Sequence, residues 1–286
     1  MDNKNKKSSS FKSFARRFCK NKTAVIGLIL FVILVLLAVF ATVITPYAYD
    51  KINMAARMNA PSAEHLFGTD QLGRDMLSRI LYGGRYSLSL GILSIAAAVV
   101  ISVVLGCIAG FFGGWIDNLL MRIMDIIQSI PSTLLAIIMS AVLGAGYTTT
   151  IIALAVPYVS GFSRLLRAQV MQIGENEYVE AATSLSIKKV TIMFKHILPN
   201  SWAPLIVSAT MGVAQAILNA SALSFIGLGV QAPIPEWGAL LSGSRDYMRD
   251  DPYMVIIPGI FIMLTVLSLN LVGDGVRDVL DPKLKD

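Results

Sequence analysis

The stretch VEAATSLSIKKVTIMFKHILPN, residues 179–200, is too polar to cross a membrane, yet it sits between two runs that are apolar and long enough to do so. Glu180, Ala181 and Ala182 lie in a good helix-forming segment, Ser186 can cap a second helix, and Pro199 marks an end before the next apolar run. The spacing predicts two short helices joined near Ser186. Val179, Ala182, Leu185, Val190, Met193 and Phe194 give this pair apolar surface, while Lys188, Lys189 and Lys195 hold it on the cytoplasmic side. Periodicity alone reads such a segment as an interfacial helix lying on the membrane. Composition does not separate that from an element that docks onto another protein.

The flanking runs set the class. With 286 residues, 55% hydrophobic and only 15% charged, the chain has too little polar surface to cover a soluble globule. A hydrocarbon core of about 30 Å needs about 20 apolar helical residues, and six runs approach or exceed that length: residues 23–45, 88–112, 119–143, 148–165, 202–226 and 253–272. The fourth is short and carries Pro157 and Gly161, which membrane helices tolerate where neighbours satisfy the freed backbone groups. The first follows a basic tail, FKSFARRFCKNK, but it is longer than a secretory core and lacks a small-residue cleavage pattern, so it reads as a span.

The expected fold is therefore all-α and polytopic, with six transmembrane helices. Its parts are a basic cytoplasmic tail (1–22), a first helix (23–45), an extracytoplasmic loop with an amphipathic helix (46–87), a core of five helices (88–275) that includes a cytoplasmic loop at 176–199, and a cytoplasmic tail (276–286). With both termini inside, the inner segments hold sixteen of the 24 Lys and Arg residues and the outer ones seven, while Arg122 lies within a span. That bias accounts for the net charge of +6 without nucleic acid. Cys19 falls in the tail and Cys107 in a span, so neither is placed for a disulfide.

Three further patterns carry expectations. In the outer loop, GTDQLGRDMLSRILYGGR places Asp70 with Arg74 and Asp75 with Arg79 at i, i+4, after Thr69 or Asp70 as a cap, and predicts an amphipathic helix ended by Gly83 and Gly84. This is either a structural helix at the outer interface or a docking surface for an external partner. Gly106, Gly110 and Gly114 have the four-residue spacing that lets helix backbones approach closely. In the third run Arg122 and Asp125 lie on one face, followed by Gln128, Ser129, Pro131 and Ser132. That face is either an internal ion pair near the cytoplasmic surface or the wall of a translocation pathway, with Arg122, Asp125, Ser129 and Ser132 as its candidates.

The segment EAATSLSIKKVTIMFKHILPN is similar to the EAA loop of membrane subunits of bacterial ABC importers. Glu180, Ala181, Ala182, Leu198 and Pro199 match that pattern at its spacing, whereas Ser186 replaces its glycine and His196 occupies its hydrophobic position. If the turn there is left-handed, Ser costs about 1 kcal/mol more than Gly. GTDQLGRDMLSRILYGGRYSL, FIGLGVQAPIPEWGALL and NLVGDGVRDVLDP also resemble the permeases of dipeptide, oligopeptide and nickel importers, in particular the C-type subunit with its long basic tail. The resemblance implies the type I permease fold, a bacterial cytoplasmic membrane location, a homologous second permease, two ATPase subunits carrying ATP and Mg, and an extracytoplasmic substrate-binding protein. It makes Glu180, Ala181, Ala182, Ser186, Leu198 and Pro199 the ATPase-coupling residues. Peptides are the preferred substrate and a nickel ion or metal chelate the alternative.

The sequence contains no G-x-x-x-x-G-K-S/T phosphate loop, so this chain does not supply one to an ATPase site. A proton- or sodium-driven transporter would place carboxylates in its membrane core, and Asp125, beside Arg122, is the one candidate. An intramembrane enzyme would need a nucleophile and base or two facing aspartates within the membrane. His65 and His196 fall in loops, and Asp50 and Asp274 at helix ends. The expectation is a non-catalytic subunit without metal or cofactor of its own.

Overall fold

A computed structural model describes residues 14–280, apart from the Lys189 side chain. Most of the basic tail and the last residues of the 276–286 tail lie outside that range. The regular secondary structure of the described residues is helical, apart from one β-bridge between Thr69 and Asp75. The helices are α1 (Lys22–Val39), α2 (Met76–Phe112), α3 (Gly114–Gln128), α4 (Ser132–Leu143), α5 (Tyr147–Gly174), α6 (Glu177–Ser184), α7 (Lys189–Ile192), α8 (Leu198–Phe225), α9 (Trp237–Ser244) and α10 (Tyr253–Leu280), with a further four-residue turn of helix at Ala41–Ile44 and short 3-10 turns in the loops. Five of them, α1, α2, α5, α8 and α10, are long and apolar enough to cross a membrane. The bent pair of α3 and α4 is the sixth candidate span.

Three expectations are corrected here. The third run is not one helix: α3 and α4 meet at an 87° bend. Pro131, extended at ψ 133°, cannot continue α3 and instead precedes the first turn of α4. The outer amphipathic helix is likewise not a separate element, because α2 runs unbroken from Met76 through Gly83 and Gly84 into the membrane. Those glycines do not terminate it. They clear space for Pro235, Trp237 and Ala38, which pack directly on the α2 backbone. The cap is also shifted: Asp75, rather than Thr69 or Asp70, accepts the Ser78 N–H at 2.7 Å.

Close contacts give the helix directions. A Cβ at Gly106 would stand 2.8 Å from the Ser163 carbonyl oxygen and one at Gly110 2.8 Å from that of Arg167, so α2 and α5 run parallel in backbone-to-backbone contact. Ser102 extends this seam by donating to the Val159 oxygen at 3.0 Å. Gly114, the third of the series, takes no part. At φ +59° it serves the turn into α3. α1 and α10 run antiparallel, with Gly27 against Ser268 and Leu271 and Gly275 against Ala24. Asn21 fixes this pair by capping α1 through Ala24 N–H and donating to Asp278 at 2.9 Å. At the other end of α1, Arg85 donates to the Ala38 and Val39 carbonyls at 2.7 and 2.6 Å, satisfying groups that the helix end would leave bare. The start of α1, the ends of α2, α5 and α10, and the α6–α7 element therefore share one side of the bundle.

Candidate functional site

On that side, α6 ends at a left-handed residue. Ser186 has φ +58°, its N–H bonds the Thr183 carbonyl at 2.9 Å, and Ile187 N–H bonds that of Ala182 at 3.2 Å. This is the Schellman arrangement that glycine ordinarily terminates. Ser186 thus closes the first helix instead of capping the second. Pro199 does not end the second helix either; it lies in the first turn of α8. Having no N–H to give the Lys195 carbonyl, it is preceded by a wider π-helical turn, Met193–Ile197, in which Leu198 N–H reaches back to Met193.

The apolar surface of this element divides into two faces. Val179, Ala182, Met193, Ile197 and Leu198 are buried and join one core cluster with Phe162, Leu166, Val170 and Ile173 of α5 and Leu205 of α8. Leu185, Val190 and Phe194 are 77%, 60% and 58% exposed. Glu180, Ala181 and Pro199 are exposed as well. Val179, Ala182 and Met193 therefore find their apolar partner within the chain, in α5 and α8. What remains uncovered is a strip along Tyr178, Leu185, Val190 and Phe194, mounted on a face welded to two spans.

Next to it, α3 is tied to α5 by two ion pairs. Asp117 receives both the Arg167 Nε and Nη2 at 2.5 Å, a bidentate contact with Asp117 buried. Asp125 accepts from Arg164 Nη2 at 2.7 Å. The expected pair of Asp125 with Arg122 is therefore corrected: on this bent segment Asp125 faces α5, and Arg122 points to the exposed side of α3. Nor do Arg122, Asp125 and Ser129 line the cleft that opens at the start of α4. Ser129 donates to its own helix at the Ile126 oxygen.

Ser132 does line it. The cleft holds about 310 Å³ between the start of α4 and the middles of α5 and α8, bordered by Ser132, Thr133, Pro157, Tyr158, Gly161, Phe162, Gln215 and Asn219. Its polar groups are all neutral. Non-helical backbone at membrane depth is tolerated where it lines a watered cavity or is buried in protein, and the α3–α4 break stands at this cleft.

On the opposite side, residues 46–75 fold into a cap over the starts of α2 and α10. Asp70 is its hub. It accepts from Leu72 N–H at 2.9 Å, Arg74 N–H at 3.0 Å and Arg74 Nε at 2.7 Å, with Arg79 Nε 3.4 Å away. Arg79 also donates to the Tyr49 oxygen at 3.2 Å. Asp75 divides its oxygens between the start of α2 and His65 Nδ1, 2.9 Å away. Tyr253 of α10 closes the cap against the Asn59 and Thr69 carbonyls at 3.1 and 2.9 Å. The i, i+4 expectation holds for Asp70 with Arg74 and is corrected for Asp75 with Arg79, whose partners are His65 and Asp70. Asp70, Arg74, Asp75 and Arg79 are all buried, so they build the cap and do not themselves form a docking surface.

This geometry has close sequence company. Residues 102–286 match the family described as binding-protein-dependent transport system inner membrane component, and residues 9–61 match the N-terminal TM domain of oligopeptide transport permease C. This chain belongs to the binding-protein-dependent inner membrane components. It is 47% identical to the dipeptide transport system permease protein DppC of Alkalihalophilus pseudofirmus, over 97% of this chain and 91% of the relative. It is 43% identical to the di/tripeptide transport system permease protein DppC of Pseudomonas aeruginosa (97% and 94% covered). The glutathione transport system permease protein GsiD of Pectobacterium atrosepticum is 41% identical (96% and 92%). Among solved structures, an inward-facing MetNI methionine ABC transporter shares the fold at TM-score 0.59 and 19% identity, covering 71% of this chain and 97% of its own. An amino acid ABC transporter does so at 0.54 and 17%, covering 70% and 92%. The chain is a multi-pass inner membrane permease of an ABC importer, with the type I fold.

Several residues that organise the permease escape a reading by span. Arg164 and Arg167 fix α3, Arg85 caps α1, and Glu236, fully buried, accepts from Ala239 N–H and Ser87 Oγ to seat α9 on α2. Trp237 adds a 2.9 Å bond from its indole to the Ile80 oxygen. The signal available in sequence was weak but physical. Gln215 and Asn219 are polar at i, i+4 in an apolar run, and such a pair must face protein or water.

Proposed function

We propose that this permease imports short peptides and forms one half of the translocation pathway, with a homologous second permease forming the other. A substrate-binding protein delivers the peptide outside, and two separate ATPase subunits, carrying ATP and Mg, drive the cycle inside; the chain itself catalyses nothing. Both termini and the α6–α7 element lie in the cytoplasm, and Glu180, Ala181, Ala182, Ser186, Leu198 and Pro199 belong to the element that couples ATPase movement to the bundle. The observation that carries this reading is the two-sided coupling element: an exposed strip of Leu185, Val190 and Phe194 backed by side chains packed into α5 and α8. A partner that moves the strip moves those two spans, which border the cleft, as nearly rigid bodies. The peptide preference is supported by the names of the relatives.

Reconstitution tests it. The complex purified with its co-expressed partners should accumulate labelled dipeptides in proteoliposomes when ATP and loaded binding protein are present. It should ignore an imposed proton or sodium gradient. Uptake driven by a gradient without ATP, or uptake of nickel chelates in preference to every peptide tried, would overturn the reading.

A further inference from the structure

The cleft contains an unusual pair. Gln215 Nε2 donates to Asn219 Oδ1 at 3.1 Å, one helical turn along α8. That bond uses one group of each amide and leaves the Gln215 Oε1 acceptor and the Asn219 Nδ2 donors for the cleft. Across from them stand the Ser132 and Thr133 hydroxyls, and between them the Pro157, Tyr158, Gly161 and Phe162 segment of α5. Gln215 is exposed and Asn219 half-buried. Left against lipid, both would be costly, so the face they form meets protein or water in the assembled importer.

From this we infer that Gln215 and Asn219, with Ser132 and Thr133, form a neutral amide rail that binds the main chain of an extended peptide in transit and does not read its side chains. The inference rests on the peptide reading above. Three features carry it. The rail carries its two amides on residues about 6 Å apart along the helix axis, comparable with the about 6.6 Å at which an extended chain repeats its main-chain groups on one side. Among the described residues no charged side chain borders the cleft, so cationic and anionic peptides meet the same wall. Neutral hydrogen bonds are also weak enough to release what they hold, as a pathway requires.

The test uses the complete importer in proteoliposomes, with uptake normalised to incorporated complex. Three tripeptides are compared, one neutral, one with a lysine and one with a glutamate. Gln215→Leu with Asn219→Leu, apolar changes that suit a membrane helix, should lower uptake of all three by a common factor of roughly ten or more, at about fivefold per hydrogen bond lost. ATPase stimulation by the loaded binding protein should persist. Asn219→Asp should raise the lysine-to-glutamate uptake ratio by about tenfold, since a charge on the wall attracts one peptide and repels the other. Unchanged uptake in the leucine variant, a loss confined to one peptide, or an unmoved ratio in Asn219→Asp would each overturn the rail while wild-type peptide uptake leaves the function standing. A wild type that imports none of the three overturns both.

Discussion

The outer cap and the inner coupling element are both polar segments flanking membrane helices, and they are built in opposite ways. Outside, Asp70, Arg74, Asp75 and Arg79 turn their charges inward, His65 adds its imidazole to them, and hydrogen bonds close the loop. Inside, the charged residues Glu177, Glu180, Lys188 and Lys195 are exposed, and so are the large apolar side chains of Leu185, Val190 and Phe194. The cap is finished within the chain, whereas the coupling element is half finished, with one face in the core and one waiting for a partner. Substitutions outside should therefore be felt as stability, and those along the inner strip as assembly.

The largest stability effect is expected from Asp70→Ala, which leaves two buried arginines without their carboxylate at a cost of about 3–5 kcal/mol. It should appear as a sharp drop in extracted permease and in its thermal midpoint. A near-normal midpoint would break the description of the cap as a closed unit. Ala182→Asp should come next, because Ala182 is 6% exposed within this chain's own core, and an unpaired charge there costs several kcal/mol. The damage should be visible in the permease before any ATPase is added. A normally folded variant that merely fails to bind its ATPase would put Ala182 on the outer strip after all.

Smaller effects probe the joints. Asp117→Ala should cost about 1–2 kcal/mol, since Arg167 is part-exposed and water screens the loss, and Arg167→Ala on top of it should add little. Additive losses from the two changes would show that they do not act as a pair. Ser186→Gly should stabilise by about 1 kcal/mol by relieving the positive φ at the end of α6. A loss of stability would mean that the Ser186 hydroxyl contributes more than the backbone strain costs.

Run length and hydropathy made the long spans legible, and the coupling loop could be placed from its polarity and from Glu180, Ala181, Ala182, Leu198 and Pro199. What the sequence hid was direction. A one-dimensional pattern pairs Arg122 with Asp125 and Asp75 with Arg79 because they are neighbours on a helix, but tertiary packing offers Asp125 an arginine from α5 and Asp75 a histidine from the cap. The apolar positions of the coupling element were visible as a set, yet their division into inner and outer faces depends on the left-handed turn at Ser186 and the π turn before Pro199. Gly83 and Gly84 read as a stop because glycine often follows a helix. Here they serve close packing, which only the position of Trp237 reveals.

The outward strip is the central claim, and site-directed crosslinking measures it most directly. Cys19 and Cys107 are first replaced by serine, and single cysteines are then placed at Leu185, Phe194 and Ala182 in the assembled importer. The account expects Leu185→Cys and Phe194→Cys to crosslink to an ATPase subunit, with yields that change between nucleotide-free and ATP-bound complexes, while Ala182→Cys stays unreactive. Crosslinks from Ala182 alone, or none from Leu185 and Phe194 in an importer that still hydrolyses ATP on demand, would contradict it.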